Sequence, residues 1–420
     1  MSTQRSFQSM LNQFLPNPLL RENFQKKDYF LQNVSKDNTW LGGEMIVPFR
    51  AGGASSVRLG SLTPSNEIGQ SKVVRGTISR QPEVWGSMIF NERDLMEHGK
   101  ISEQNLLKIL PDEINDFTDY MKTVVSLSWT NGEALATVTV NGTSAGVIRV
   151  DRPERLQIGQ RLKIKGTVAA ALDIYVAQVD LDTGDVSCVN TRFADPTVVA
   201  NQVNLTAYTT ADSAKIFIDG AETSTNRLSS LKKLLLSAAN GGDSTIYGQT
   251  KLDAPYTQAV QCAGSGMTGS NILSTIFDSF LKMKNRGSPG ANKVLMGYKG
   301  WAAVMKVLEQ QKGAFRQASD VKASIYGWDE VEIGGPGGRL TVVATQEMDD
   351  DFMPILDLAA LKIYSNGFFR KRVGPDGNEY FVVRANDGYQ YIVDICFFGD
   401  MVLERPNRCG IIHGINPAAL

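Results

Sequence analysis

Cysteine and histidine are scarce in this 420-residue chain, and that scarcity removes whole classes of chemistry. The four cysteines, Cys188, Cys262, Cys396 and Cys409, show no paired spacing. They fit neither a structural zinc site nor a disulfide-stapled domain, so free thiols in a reducing compartment are expected. The two histidines, His98 and His413, stand in no motif, which excludes a metal held by paired histidines. Net charge is also missing: 43 basic residues meet 44 acidic ones, leaving −1. A chain that wraps nucleic acid mainly through positive charge would carry an excess of lysine and arginine. No apolar run approaches the ~20 residues of a membrane span. The opening Met-Ser-Thr-Gln-Arg-Ser-Phe lacks a signal-peptide core. The expectation is a soluble protein made and used in a cytoplasm, where the glycosylation patterns at Asn33, Asn141 and Asn204 arise by chance.

What is present suits a folded protein. Hydrophobic residues make up 42% and charged residues 21%, and the length allows two or three domains. Residues 1–42 scatter Phe7, Phe14, Phe24, Tyr29, Phe30 and Trp40 around the helix breakers Pro16 and Pro18. So many rings need somewhere to be buried. An extended arm that docks elsewhere and an N-terminal part of the chain's own core both satisfy the pattern.

Residues 43–90 read as a long hairpin. Strand-like pieces occur at 45–50 and 73–79, with a Gly/Ser/Asn tip between them. Such a hairpin has too little apolar surface to stand alone. Its basic excess, Arg50, Arg58, Lys72, Arg75 and Arg80 against Glu67 and Glu83, points to an acidic partner surface. A helix is expected over 111–128. Pro111, Asp112 and Glu113 suit a first turn, and Leu110, Ile114, Phe117, Met121 and Val124 form one seam.

The period then changes to two. Short alternating strands are expected at 136–140, 147–150, 161–165, 174–179, 186–189 and 215–218, with turns at Asn141-Gly142, Ile158-Gly159 and Asp182-Thr183-Gly184-Asp185. This spacing predicts a small barrel or sandwich over 134–220. Amphipathic helices follow around Leu273–Leu281 and Trp301–Leu308, with strands at 293–296 and 340–344. The last part, from Phe368 to Phe398, reads as long antiparallel strands joined at Asp-Gly turns.

Little of this carries catalytic chemistry. Gly142-Thr143-Ser144-Ala145-Gly146 matches a nucleophile elbow, but it lies between alternating strands and reads as a hairpin. Gly264-Ser265-Gly266-Met267-Thr268-Gly269 matches a dinucleotide fingerprint. The segment before it is too polar for a buried parallel strand, and a loop capping the next helix through Ser270 is expected instead. Asp349-Asp350-Asp351 reads as a solvated loop rather than a cation site, and Asp376-Gly377-Asn378 as a turn rather than a calcium loop. Arg370-Lys371-Arg372 reads as an exposed strand end. No cofactor, metal or catalytic residue is assigned.

Several stretches resemble the major capsid proteins of tailed double-stranded DNA bacteriophages. Arg75-Gly76-Thr77 to Pro82-Glu83-Val84-Trp85-Gly86-Ser87 is similar to the return strand of that family's extended loop. The helix after Pro111 is similar to its spine helix, and Val294-Leu295-Met296-Gly297-Tyr298-Lys299-Gly300-Trp301 to its central axial domain. Tyr380–Arg384 and Tyr391–Phe398 are similar to its peripheral strands.

The resemblance implies an α+β capsid fold with an inserted small β domain. It implies an N-terminal arm (1–42), extended loop (43–90), spine helix and peripheral domain (91–133), inserted β domain (134–220), axial domain (221–365), and peripheral strands with the C-terminus (366–420). It further implies a non-enzymatic subunit forming pentamers and hexamers of an icosahedral or prolate shell around DNA. Its partners would be copies of itself, a separate scaffolding protein, a portal and decoration proteins, with no membrane, in a virion capsid assembled in the host cytoplasm. Candidate intersubunit contacts are Arg58, Lys72, Arg75, Arg80 and Trp85. The alternatives are a β-rich tail or adhesion component, and a nucleotide-binding enzyme using the loop at 264–269.

Overall fold

Alternating and continuous apolar runs sort most of the described residues into two six-stranded sheets and one closed barrel, with two two-stranded ribbons beside them. The computed structural model describes residues 29–40, 43–50, 73–78, 83–91, 103–131, 134–222, 228–251, 257–286, 290–311, 330–335, 338–366, 369–371, 381–385 and 388–420.

The first sheet is organised by one 16-residue strand, Gly388–Leu403. Its C-terminal end pairs antiparallel with Leu361–Ser365, which in turn pairs in parallel with Ser35–Asp37. Farther along, it pairs with Glu83–Asn91, Phe381–Ala385 and Arg370–Lys371. The second sheet runs in the order Val260–Ala263, Gly410–His413, Phe352–Leu356, Lys293–Met296, Gly338–Ala344 and Glu330–Gly335. Its central strands, Phe352–Leu356 and Lys293–Met296, read as nearly continuous apolar runs because both faces are covered. Val294, Met296, Met353 and Ile355 pack with helices Ile272–Asn285 and Tyr298–Gln311. Leu295, Phe352 and Leu356 face the other way, into a core shared with the long helix and the first sheet.

That long helix, Glu103–Thr130, starts well before the expected position at Pro111. Proline removes one backbone donor, yet the helix runs through Pro111 without a break. At its other end Val125 and Trp129 are fully buried.

Lys215–Ile218, Ala136–Val140, Val147–Val150, Asp185–Val189, Leu172–Val179 and Arg161–Lys165 close into a barrel in that order. Closure leaves no open edge. The inward positions Val138, Ile148, Leu162, Ile164, Ile174, Val176, Val186 and Ile216 fill it. Gly184, at φ 77°, supplies the left-handed residue of the Asp182–Asp185 turn.

Three expectations change, and one pair of alternatives narrows. Tyr29, Phe30, Leu31 and Val34 lie in the chain's own core, the second of the two readings of residues 1–42. A boundary at 365/366 does not separate the sheets: Leu361–Ser365 belongs to the first and Gly410–His413 to the second. Val260–Ala263 is a parallel strand after all, paired with Gly410–His413. The polar residues are tolerated because Gln258 Nε2 donates to the Lys251 carbonyl at 2.6 Å and Gln261 Nε2 to that of Leu235 at 3.3 Å. Asn271, not Ser270, precedes the next helix, and its Oδ1 accepts from the Thr268 amide at 2.7 Å.

Candidate functional site

The strands Met45–Arg50 and Val73–Ile78 form a two-stranded ribbon of their own. Opposed residues share a face. Met45/Ile78, Val47/Gly76 and Phe49/Val74 make the inner face, where Val47 and Phe49 are buried. Ile46/Thr77, Pro48/Arg75 and Arg50/Val73 make the outer one. There Ile46 is 54% and Val73 58% exposed, and Arg75 is exposed beside them.

Tyr247 anchors the inner face. Its ring stacks on Phe49 at 6.0 Å and 4°. Its carbonyl accepts from the Thr77 amide at 2.8 Å, and its hydroxyl accepts from the Leu403 amide at 2.8 Å. Burial pushes its phenol well above the ordinary tyrosine value. Gln249 Nε2 adds a 2.8 Å bond to the Arg75 carbonyl. Gly76 permits this close approach: a Cβ there would lie 2.7 Å from the Phe49 ring and 3.0 Å from Tyr247 Cβ. Gly76→Ala should therefore cost about 1–3 kcal/mol by overpacking. Gly43→Ala, where an added Cβ meets nothing within 4 Å, is the control. Urea midpoints of both variants check this, and equal midpoints would refute it. Between the Met45–Phe49 strand and Tyr364, Glu404, Arg405, Asn407 and Arg408 runs a groove of about 610 Å³.

A second exposed face lies on the first sheet. Trp85 stands opposite Cys396 in the Glu83–Asn91 pairing and is 49% exposed. Its ring meets that of Phe398 edge-on at 5.1 Å, and its Nε1 donates to Glu83 at 3.2 Å. Ser87 Oγ donates to Asp394 at 2.6 Å on the same strands. The opposite side of this sheet packs on Phe117 and Met121 of the long helix through Val84, Val393 and Ile395.

Of the sequence-predicted contacts, Arg75 and Trp85 are exposed on these two faces. Arg58, Lys72 and Arg80 lie outside the described residues, as do His98, Arg372 and Asp376-Gly377-Asn378. Sequence reasoning missed Ile46, Val73 and Phe398. Strand alternation gave a signal for the first two, since Ile46 and Val73 fall out of phase with Val47 and Phe49.

The catalytic rivals fare differently. The loop at 264–269 does connect a parallel strand to a helix, but the C-terminus occupies it. The Gly269 amide donates to the Ala419 carbonyl at 3.1 Å, and Cβ atoms at Gly264 and Gly269 would strike Ile415 and the Leu420 carbonyl. Asp349-Asp350-Asp351 is not a solvated loop. Asp349 meets Arg155 at 2.8 Å, Asp350 meets Arg152 at 2.8 Å, and Asp351 meets Lys232 at 2.6 Å. Each carboxylate thus has a cationic partner that lies far from it in the chain. The segment 142–146 connects two antiparallel strands, as its alternation implied. Among the described residues no group of three or more His, Cys, Asp or Glu is placed to hold a metal ion, and no helix is long and apolar enough to cross a membrane.

All four cysteines are buried, and none is in a disulfide. Burial pushes the Cys188 and Cys409 thiols up to about 12, which leaves them inert.

No family model matches the sequence, and no curated protein matches it. Among solved structures, the chain is similar to the capsid asymmetric unit of cyanophage A-1(L), with a TM-score of 0.52 and 11% identity over 96% of this chain and 95% of that one. The capsid of a native GTA particle is also similar, with a TM-score of 0.47, 9% identity and coverage of 96% and 95%. The capsid of Myoviridae phage XM1 gives 0.42, 9%, 97% and 98%. The cyanophage likeness shows the fold: an α+β phage-capsid fold over nearly the whole chain.

Proposed function

We propose that this chain is a major capsid subunit of a tailed phage, a structural rather than catalytic protein. The observation that carries the reading is the whole-chain likeness to the cyanophage capsid fold. The subunits would form pentamers and hexamers of a shell enclosing double-stranded DNA, in an icosahedral or prolate virion capsid assembled in the host cytoplasm. A separate scaffolding protein, a portal and decoration proteins are the proposed further partners. DNA would be enclosed rather than read, in keeping with a net charge of −1.

The two exposed faces suggest how copies meet. The ribbon's outer face offers Ile46 and Val73 with basic Arg75; the sheet offers Trp85 and Phe398 with acidic Glu83 and Asp394. They are chemically complementary but not identical. A contact between unlike faces is heterologous, and a heterologous contact generates a ring when its rotation closes. Arg58, Lys72 and Arg80 are proposed to extend the basic side of that contact. Rim charge pairs are worth only ~0.2–1 kcal/mol each, but a shell repeats them at every interface.

Electron microscopy of the purified full chain, with scaffold supplied, tests the reading. Closed shells or rings are expected; monomers, tubes or fibres would refute it. Arg75→Glu and Trp85→Ser should each lower shell yield while leaving the circular dichroism of the subunit unchanged. Arg75→Glu combined with Glu83→Arg should recover yield. If the single variants assemble as well as the parent at low and high salt, these two faces are not the contact.

A further inference from the structure

The barrel shares no strand with either sheet, and its six strands pair only with one another. The start of its first strand, at Leu135, and the end of its last, at Ile218, lie at the same end of the barrel. The Leu135 amide donates to the Ile216 carbonyl there at 2.9 Å. Leu127 is the one residue of the body in the barrel's buried apolar cluster among the described residues. The rest of the seat is polar. Arg152 reaches Asp350 at 2.8 Å and Asp349 at 3.9 Å, Arg155 reaches Asp349 at 2.8 Å, and Gln160 Nε2 bonds the Tyr120 hydroxyl.

The receiving loop is itself fixed to the body. Asp351 meets Lys232 at 2.6 Å, and Asp350 Oδ1 accepts from the Lys299 amide at 3.2 Å. Asp350, at 2% exposure, is held against Gly297. Beside the latch the two units do not close. A cleft of about 550 Å³ separates Thr137, Asp151 and Lys215 of the barrel from Lys233, Asn240 and His413 of the body.

We infer that the barrel is a hinged module held in one orientation by a charge latch, Arg152 and Arg155 on Asp349 and Asp350, and that releasing the latch swings it as a rigid body about its two connections. Three physical points converge. The barrel's buried cluster takes only Leu127 from the body among the described residues, so separation exposes little apolar surface. A small polar interface with a cleft is the kind across which relative motion is the default. Both covalent tethers leave from one end, which permits rotation without breaking a strand. The device operates in the single subunit and does not depend on shell assembly.

Hydrogen exchange on the unassembled full chain tests this. Between about 0.05 M and 0.5 M salt, where screening shortens from well beyond the latch to its own length scale, amides at 134–135, 219–222 and 346–351 should exchange about fivefold faster. Leu172–Val179 in the barrel and Lys293–Met296 in the body should not change. Arg155→Gln should reproduce the high-salt pattern at low salt. The swap Arg155→Asp with Asp349→Arg should restore protection. If Arg155→Gln fails to fold, Arg152→Gln, at the more exposed arm of the latch, decides in its place. Barrel strands accelerating in step with the connections would mean local unfolding rather than rotation and would overturn the inference. So would connections that respond to neither salt nor substitution.

Discussion

Replacing Trp129 with alanine should cost about 3–5 kcal/mol of stability, the range for truncating a fully buried large aromatic. Domain stabilities run from about 5 to 15 kcal/mol, so this one change would remove a third or more of a typical value. Trp129 has no exposed surface and sits where three elements meet. It ends the long helix, its ring meets Phe397 edge-on at 5.8 Å, and its Nε1 donates to Asp400 at 3.2 Å. Alanine would leave a cavity and withdraw a donor from a buried carboxylate. Trp129→Phe keeps most of the packing and loses the donor, so about 1–3 kcal/mol is expected there. Urea unfolding followed by circular dichroism gives both numbers. An alanine variant within 1 kcal/mol of the parent would show that the helix end is not tied to the sheet in this way.

The barrel was legible because its information is local. Each strand alternates, each turn carries its own chemistry, and Ala136–Val140, Val147–Val150, Arg161–Lys165 and Lys215–Ile218 fall where the alternation puts them. What the chain could not reveal depends on distant partners. Asp349 and Asp350 read as solvated acids because Arg155 and Arg152, their partners, lie 194 and 198 residues away. The strand before the glycine loop at 264–269 was missed because its parallel partner, Gly410–His413, lies near the end of the chain. Pro111 misled in the opposite sense: a strong local start signal lies inside a helix that begins at Glu103. Trp85 was found, but Phe398 beside it becomes visible only once Glu83–Asn91 and Gly388–Leu403 are in register.

The same reasoning explains why Asp400 attracted no notice as one acid in a strand, although a steep pH dependence is expected from it. Fully buried, it accepts from the Ser229 amide at 3.1 Å through both oxygens, from its neighbour Met401 at 2.8 Å and from Trp129. Burial pushes its carboxyl from 3.8 up to about 6; the hydrogen bonds from Ser229, Met401 and Trp129 only partly offset that. The folded state therefore holds this proton more tightly than the unfolded one. Ionised Asp400 costs stability in full above pH 6, and the cost is relieved as pH falls through 6 toward 3.8. At about 1.4 kcal/mol for each pH unit between those values, the full cost is about 3 kcal/mol. Asp400→Asn keeps the shape and cannot ionise. Relative to the parent, it should be most stable near pH 7.5, and the difference between the two chains should shrink by about 2 kcal/mol by pH 4. Taking the difference cancels other groups, such as His413, whose burial lowers its value and favours folding at higher pH. Parallel urea titrations of the two chains across that range measure the difference directly. If it stays constant with pH, Asp400 is not held by burial in the protonated-favouring state described here.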